Sequence, residues 1–456
     1  MKILITGATG LVGSKLIEDL YLNGHEDIRV LTRNIETANL KIPFPVEIKR
    51  WNPLRGEIDA DSLENVDIIF HLAGESVAGG RWNQSRKTRI LESRILSTTL
   101  LLNEIKKSST TPKKFISASA VGIYGDTNSI EINEESELAN DYLAQVCKDW
   151  EATLKNSNIE GMQKHVLRTG IVLSKNGGAL EKMLTPFKMG AGGILGSGKQ
   201  YMSWIHIDDL IKSYIFLMKH NCKHFAYNGV SPDPVNNKEF TKRLGSQLKR
   251  PTIFPVPKFV LQLIFGEMSQ ILLEGQKVLP SRLLDEGFTF KYKKLEHALA
   301  HEFSYDSKGE VLYKQYQWVP KKRNEVFTFF SNERNLESIT PPSLGFKVLK
   351  MTTDKIQEGT LIDYKLRIHG MPAHWQTKIS KFTEGESFID EQLKGPYKKW
   401  IHQHDFIDSK NGTLICDKIT YKLPMGSIGN LVAGWFVQRD VTNIFNFRKK
   451  VIRDIF

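Results

Sequence analysis

Apolar positions fall into two regimes along the chain. Through about the first 300 residues, short apolar runs alternate with longer stretches whose apolar positions recur every three to four residues. MKILIT, IRVLTRN, VEIKRW, VDIIFHLAG, KKFISASAV and KHVLRTGIVL (164–173) predict strands. Leu11, Val12, Leu16, Ile17 and Leu20 form a stripe that predicts a helix ending near Gly24, and further helices are predicted at about 84–107 and 141–156. Strands alternating with helices imply an α/β fold with a parallel, doubly wound sheet.

From about Tyr305 the period changes to two. VLYKQYQW alternates, and RNEVFTFFSNERNLESI predicts one amphipathic helix after Pro320. GFKVLKM, TLIDYKLRI, WQTKISKF, SFIDEQLKG, WIHQHDFID and GTLICDKITYKL then predict about six antiparallel strands joined by short polar turns. A long helix at about 428–454 closes the chain, with Leu431, Trp435, Ile444, Phe445, Val451, Ile452 and Ile455 on one broad apolar side. Between the regimes, MGAGGILGSGKQ (189–200) carries five glycines and reads as a flexible substrate lid or cleft wall.

The first strand runs into GATGLVG, which spaces Gly7, Gly10 and Gly13 by three. Strand, tight glycine turn and helix together suit a pyrophosphate: glycines admit close backbone approach, and a helix N-terminus presents amide hydrogens and a positive dipole end. Gly7, Thr9, Gly10, Leu11, Val12 and Gly13 are therefore candidate cofactor residues. The second strand ends Leu31-Thr32-Arg33-Asn34, without the carboxylate that would bond a ribose 2′-hydroxyl. Arg33 there suits a 2′-phosphate, so NADP(H) is expected ahead of NAD(H); the alternative is a surface arginine at a strand end. Leu72, Ala73 and Gly74, at another strand's C-terminal end, complete the expected cofactor edge.

GATGLVG, HLAG and SASAVGIYG resemble the extended short-chain dehydrogenase/reductase superfamily, which includes the nucleotide-sugar epimerases. LAGESVAGGRW, SRKTRILESR, YLAQVCKDWE and the 176–210 segment are similar to its atypical epimerase-like family of largely unassigned activity. With NGVSPDPVNNKEF and GFTFKY, the likeness covers about residues 1–300. It implies a Rossmann-like NADP-binding domain, 1–303, with a small substrate lobe mainly from 174–205 and 228–300. In the superfamily a tyrosine moves the substrate proton, and a lysine four residues on lowers its pKa. Here Tyr142 is followed by Val146, and the family commonly lacks that lysine too. Lys148 lies about 240° round a helix from Tyr142 and is no substitute. The resemblance implies Ser119 as the group that polarises a carbonyl, and Glu75 beside the nicotinamide. It implies a substrate cleft lined by Arg81, Tyr124, Lys199 and His206. Each has a structural alternative, such as a cap, an ion pair or, for Cys147, a buried inert thiol.

Strand, helix, about six strands and a final helix resemble the START-like helix-grip fold of polyketide cyclases and lipid-transfer domains, on GPYKKWIHQHDF and DKITYKLPMG. Residues 305–456 are expected to form that α+β domain around a hydrophobic ligand, with Trp375, Trp400 and Trp435 at the cavity or filling a core. His402 and His404 share a strand face, but spacing fixes no third ligand, and no metal is expected.

Composition adds bounds. A chain of 456 residues suits two or three domains. No apolar run approaches the roughly 20 residues that span a bilayer. Three scattered cysteines make no disulfide framework and suggest a reducing cytoplasm. The net charge of +12 is spread in singles and pairs, densest at KKR (321–323) and RKK (448–450). It reads as a solvated surface, with no nucleic-acid partner. Expected function is an NADP-binding, epimerase-like oxidoreductase acting on a small-molecule substrate. Alternatives are a catalytically silent NADP-binding regulator and a lipid or isoprenoid carrier. Substrate and oligomeric state are not legible.

Overall fold

The structure is a computed structural model; it describes residues 1–424 and 427–456, with the backbone alone at 307, 333, 427–433 and 435. The chain divides into two compact units, Met1–Ile42 with Val46–Phe303, and Pro43–Pro45 with Ser304–Phe456.

The first unit is built on β1 (Ile3–Thr6), β2 (Ile28–Thr32), β3 (Glu47–Asn52), β4 (Glu57–Ile58), β5 (Ile68–His71), β6 (Lys114–Ala120), β7 (Gln163–Thr169) and β8 (Ala226–Gly229). They form one sheet in the order β8-β7-β6-β5-β1-β2-β3-β4, parallel except for β4. Every residue of β1, β5 and β8 is buried, as a sheet covered on both faces requires. The helices of this unit include α1 (Leu11–Leu22), α2 (Ile35–Lys41), α3 (Gln84–Lys107), α4 (Tyr142–Lys155), α5 (Gly178–Lys188), α6 (Ile207–Lys219), α7 (Asn237–Leu248), α8 (Lys258–Phe265) and α9 (Leu295–Glu302). Leu101 and Ile105 of α3 pack with Leu4, Ile69, Phe115 and Val166 of the sheet. Strand order reverses between β1 and β5, and ligands of doubly wound sheets bind beyond such a switch point.

Two expectations change here. The run 164–173 is two strands: after β7, Ile171–Leu173 leaves the main sheet and pairs with Trp204–His206. The break is at Gly170, where a Cβ would stand 2.8 Å from Val230 Cγ1 and against the Ser203 carbonyl. The glycine-rich 189–200 stretch is stitched down rather than free. Gly196 N–H donates to the Val256 carbonyl (2.9 Å), Leu195 N–H to Asn237 Oδ1 (2.8 Å), and Gln200 Nε2 to the Leu195 and Leu272 carbonyls (3.0 and 2.9 Å).

The second unit contains β9 (Glu310–Val319), β10 (Lys347–Met351), β11 (Leu361–Ile368), β12 (Met371–Thr383), β13 (Ser387–Lys394), β14 (Lys399–Ser409) and β15 (Gly412–Lys422). These form an antiparallel sheet in the order β9-β15-β14-β13-β12-β11-β10. The segment after Pro320 is two helices, α10 (Arg323–Phe330) and α11 (Glu333–Ser338), because Asn332 interrupts and caps the second, accepting from Arg334 N–H at 3.1 Å. The final helix, α12 (Ser427–Ile455), buries Val441, Phe445 and Ile452 against sheet residues including Ile415, Ile419 and Tyr421. The side chains of Leu431 and Trp435 lie outside the described residues.

Candidate functional site

The parallel register sets Thr6 level with Leu31 and His71, so the C-terminal ends of β1, β2 and β5 share one edge. Beyond it the chain turns through residues 7–10 into α1, and its glycines do different things. Gly7 has φ +69°, and a Cβ there would stand 2.7 Å from the Leu72 carbonyl. A Cβ on Gly13 would stand 2.8 Å from Ala8 Cα, so the helix lies against the turn. Gly10 has an ordinary φ of −85°, and its Cβ would meet only the Gly7 carbonyl oxygen, at 3.3 Å. Packing within the protein does not demand this glycine. Gly10 caps α1 without a side chain, and no acid sits in the helix's first turn. The amides around Leu11 and Val12 therefore form an electropositive end suited to an anion. Thr9 is half-buried in the turn, and Arg33 is exposed just past β2, without an ion pair among the described residues.

Thr6 ties this edge together. Its Oγ1 accepts from Leu72 N–H (3.1 Å) and Ala73 N–H (3.2 Å), so its own hydrogen goes to His71 Nδ1 at 2.8 Å. His71 must then carry its proton on Nε2, facing the hydroxyls of Ser97 and Thr98, each at 3.1 Å. Burial, aided by the Arg94 charge, lowers the His71 pKa to about 3. Sequence reasoning missed His71; a histidine closing an otherwise apolar buried strand was the available signal.

The residues expected to do chemistry are engaged with the protein itself. Ser119 Oγ donates to Glu151 Oε1 at 2.6 Å, and both residues are buried. Glu151 accepts two bonds from Arg168, Nε at 2.9 Å and a terminal nitrogen at 2.8 Å. Arg168 also donates to the Tyr124 hydroxyl (2.8 Å), which donates to Asn228 Oδ1 (2.9 Å). Tyr142 turns elsewhere: its hydroxyl donates to the Lys87 carbonyl of α3 at 3.0 Å, and burial raises its pKa. Val146 is buried with Trp82, Ile90 and Met268, which makes the usual lysine position apolar. Lys148 reaches Asn140 Oδ1 at 2.7 Å. Burial, with Glu151 adding to it, pushes the Cys147 thiol up to about 12, so it is inert.

Glu75 is partly exposed after Gly74. Its carboxylate faces Arg86 at 3.7 Å, while its backbone N–H donates to Ser93 Oγ at 3.0 Å. Arg81 donates to the Ile264 carbonyl at 2.8 Å and to the Leu263 carbonyl, closing the end of α8. Lys199 is exposed. His206 is buried: Nδ1 accepts from Asp208 N–H (3.1 Å) as the cap of α6, and Nε2 lies 3.0 Å from Glu302. The structure thus gathers the expected cofactor residues at one edge, holds Arg81, Tyr124 and His206 in separate structural contacts and leaves Lys199 exposed.

In the second unit a cavity of about 660 Å³ opens between sheet and α12, walled by Phe330, Ile362, Trp375, Phe388, Trp400 and Phe445. Asp390, His402, His404 and Arg448 form a polar patch on its wall, and Arg367, His369, Asp440 and Asn443 line it too. Arg448, expected on a solvated basic surface, is buried with its guanidinium 5.0 Å from the centre of the Phe330 ring.

Residues 3–228 match the NAD dependent epimerase/dehydratase family, and residues 256–302 match a domain of unknown function, DUF1731. The chain is 38% identical over 308 residues to the chloroplastic epimerase family protein SDR39U1 homolog of Arabidopsis thaliana, covering 66% of this chain and 86% of that one. Among solved structures it resembles human epimerase family protein SDR39U1 (isoform 2) with NADPH, at 33% identity and TM-score 0.60, covering 67% of this chain and 99% of that one. It also resembles a nucleoside-diphosphate sugar epimerase from Corynebacterium glutamicum, at 34% identity and TM-score 0.53, over 67% of this chain and 58% of that one. Fold, glycine turn and likeness define a Rossmann-like protein of epimerase/dehydratase type. The chain belongs to the epimerase family of the SDR39U1 proteins.

Proposed function

We propose that the first unit binds NADP(H) across the β1–α1 turn and the β5 edge and is an oxidoreductase on a small-molecule substrate. The uncapped α1 N-terminus behind a glycine turn carries this reading, with Arg33 beside it for the 2′-phosphate. The SDR39U1 structure with NADPH supports it. Bound there, the nicotinamide would supply hydride transfer. Gly10 would leave the pyrophosphate its path, and Leu72, Ala73 and Gly74 would border the cofactor. Ser119 would polarise a carbonyl only by turning its hydrogen away from Glu151, which would then be held by Arg168 alone. Glu75, the partly exposed carboxylate, is the acid–base candidate.

A second reading, a catalytically silent NADP-binding regulator, is favoured by one observation: Val146 sits in an apolar cluster while Tyr142 bonds a helix carbonyl. In the second unit, we infer a START-like helix-grip domain holding an apolar ligand, which would suit a lipid or isoprenoid carrier.

Fluorescence titration with NADPH and NADH tests the cofactor. NADPH should bind more tightly, and Arg33→Ala should weaken NADPH alone by about 10- to 100-fold, the worth of charge-assisted hydrogen bonds. Gly10→Val should abolish both without unfolding the protein. Equal affinity for the two cofactors would remove the NADP assignment. NADPH consumption in cell extract above the Gly10→Val control would favour the enzyme over the regulator.

A further inference from the structure

Three strands of the second unit bring two imidazoles and two carboxylates together. His402 and His404 project from one face of β14, Asp390 comes from β13, and Asp417 from β15. Both histidines and Asp417 are more than nine-tenths buried. Asp417 Oδ1 lies 3.1 Å from His402 Nε2, and 2.8 Å from His404 Nδ1 though off its N–H axis. Asp390 Oδ2 lies 3.5 Å from His402 Nδ1 and 3.3 Å from His404 Nε2. Each ring therefore turns one nitrogen to each carboxylate.

A neutral imidazole has one N–H. Four nitrogens face carboxylates, so two neutral rings leave two lone pairs against carboxylate oxygens. His402 aligns its Nε2 with Asp417, whereas His404 aligns its Nε2 with Asp390 at 3.3 Å. Moving the His404 hydrogen to Nδ1, on the Asp417 side, would leave three electron-pair donors facing one another: His402 Nδ1, His404 Nε2 and Asp390 Oδ2. A cation entering there would take the place of the His404 hydrogen that Asp390 otherwise accepts. We propose that His402, His404 and Asp390 bind a zinc-class divalent ion at the wall of the apolar cavity. The separations suit it, because bonds of about 2.0–2.1 Å in a tetrahedron give ligand–ligand edges of about 3.3–3.4 Å. Asp417, which does not line the cavity, would hold both rings from behind, as carboxylates behind metal-bound histidines do. Arg448 acts electrostatically on Asp417 and offsets its charge. The remaining coordination position faces the cavity, where an oxygen atom on an otherwise apolar molecule would reach it. Two histidines and one carboxylate with an open position make a set that zinc, cobalt(II) or iron(II) accepts.

The test uses the full chain, stripped by chelator and titrated with Zn²⁺ against a chromophoric indicator, and separately with Co²⁺. One zinc per chain should bind, and Co²⁺ should give the visible bands of a tetrahedral site. His404→Gln should abolish binding, and Asp390→Asn should weaken it. Asp417→Asn should weaken it by about 10- to 100-fold. His301→Ala removes an exposed histidine of a separate His206, Asp208 and His301 group and should change nothing. Circular dichroism melts establish that each metal-free variant is folded. If the histidine variant does not fold, the Co²⁺ spectrum of the unaltered chain decides. Absence of zinc binding or of tetrahedral bands overturns the proposal, leaving a proton shared between His404 and Asp390 in the gap. So does binding that follows His301.

Discussion

His71 shows how one buried side chain can set an edge and a pH limit together. Its neutral ring receives the Thr6 hydroxyl hydrogen, and Thr6 in turn holds the amides of Leu72 and Ala73. Protonating His71 would put two hydrogens between Nδ1 and Thr6 and place a charge in a dry site near Arg94. Its pKa, lowered to about 3 in the folded protein, compares with about 6.5 when unfolded. Between those values the unfolded chain binds the extra proton, so stability rises with pH. The contribution is complete above about pH 6.5. It is lost at about 1.4 kcal/mol per unit as pH falls toward 3. Denaturant unfolding from pH 7 to pH 4.5 should show this slope, and His71→Gln should flatten it while lowering stability at pH 7. An unchanged slope in the variant would mean that folding does not lower the His71 pKa.

At the scale of the element, α4 carries the answer to the missing lysine. Its inward face reads Ala144, Val146, Cys147, Trp150, Glu151 and Leu154, and only Glu151 is charged. That acid on an apolar stripe, and Arg168 inside a buried strand, were both visible in the sequence. Their pairing was not, because it depends on α4 packing over β7. Glu151→Gln should cost about 3–5 kcal/mol in unfolding free energy, because it leaves the Arg168 charge buried without its partner. Ser119→Ala should cost only about 1–2 kcal/mol by removing a single hydrogen bond. If the serine variant proves the more destabilising, Arg168 has another anchor. The parallel strands and the three long helices of the first 160 residues were legible because their periods are clean; the short α2 and β4 were not. The break at Gly170 was not, since it is imposed by the Ser203 carbonyl from a distant segment. The glycine turn and the strand edge it extends could be read from local sequence. Positions such as Arg81 and His206 could not, because their partners at 263–264 and 302 lie far along the chain.

The whole molecule raises the question of whether its second unit is self-sufficient. Among the described residues, two apolar clusters of this unit draw on residues from Val311 to Phe456, including Val319, Phe388, Ile419, Phe445 and Ile452. Among the described residues, Pro43–Pro45 is the part of this unit that comes from elsewhere in the chain, supplying a carbonyl to Trp318 N–H at 3.0 Å and the buried Phe44 ring 5.3 Å from the Tyr316 ring. One hydrogen bond is worth about 0.5–1.5 kcal/mol and burial of one phenylalanine about 1.5–3 kcal/mol, less than two clusters of buried aromatic and aliphatic side chains contribute. Residues 304–456 expressed alone should therefore unfold in one cooperative transition. A cavity of about 660 Å³ is large enough for a drug-sized apolar molecule, so the isolated unit should take up an apolar fluorescent probe. Leu366, which lines the cavity and is 7% exposed, offers the control. Leu366→Trp should fill part of the space and lower probe affinity at least about tenfold, or 1.4 kcal/mol, while the cooperative transition persists. A unit that folds but ignores the probe would mean a cavity closed to ligands, and the carrier reading would fall. A segment that melts without cooperativity would mean that this sheet and helix need the rest of the chain to hold together.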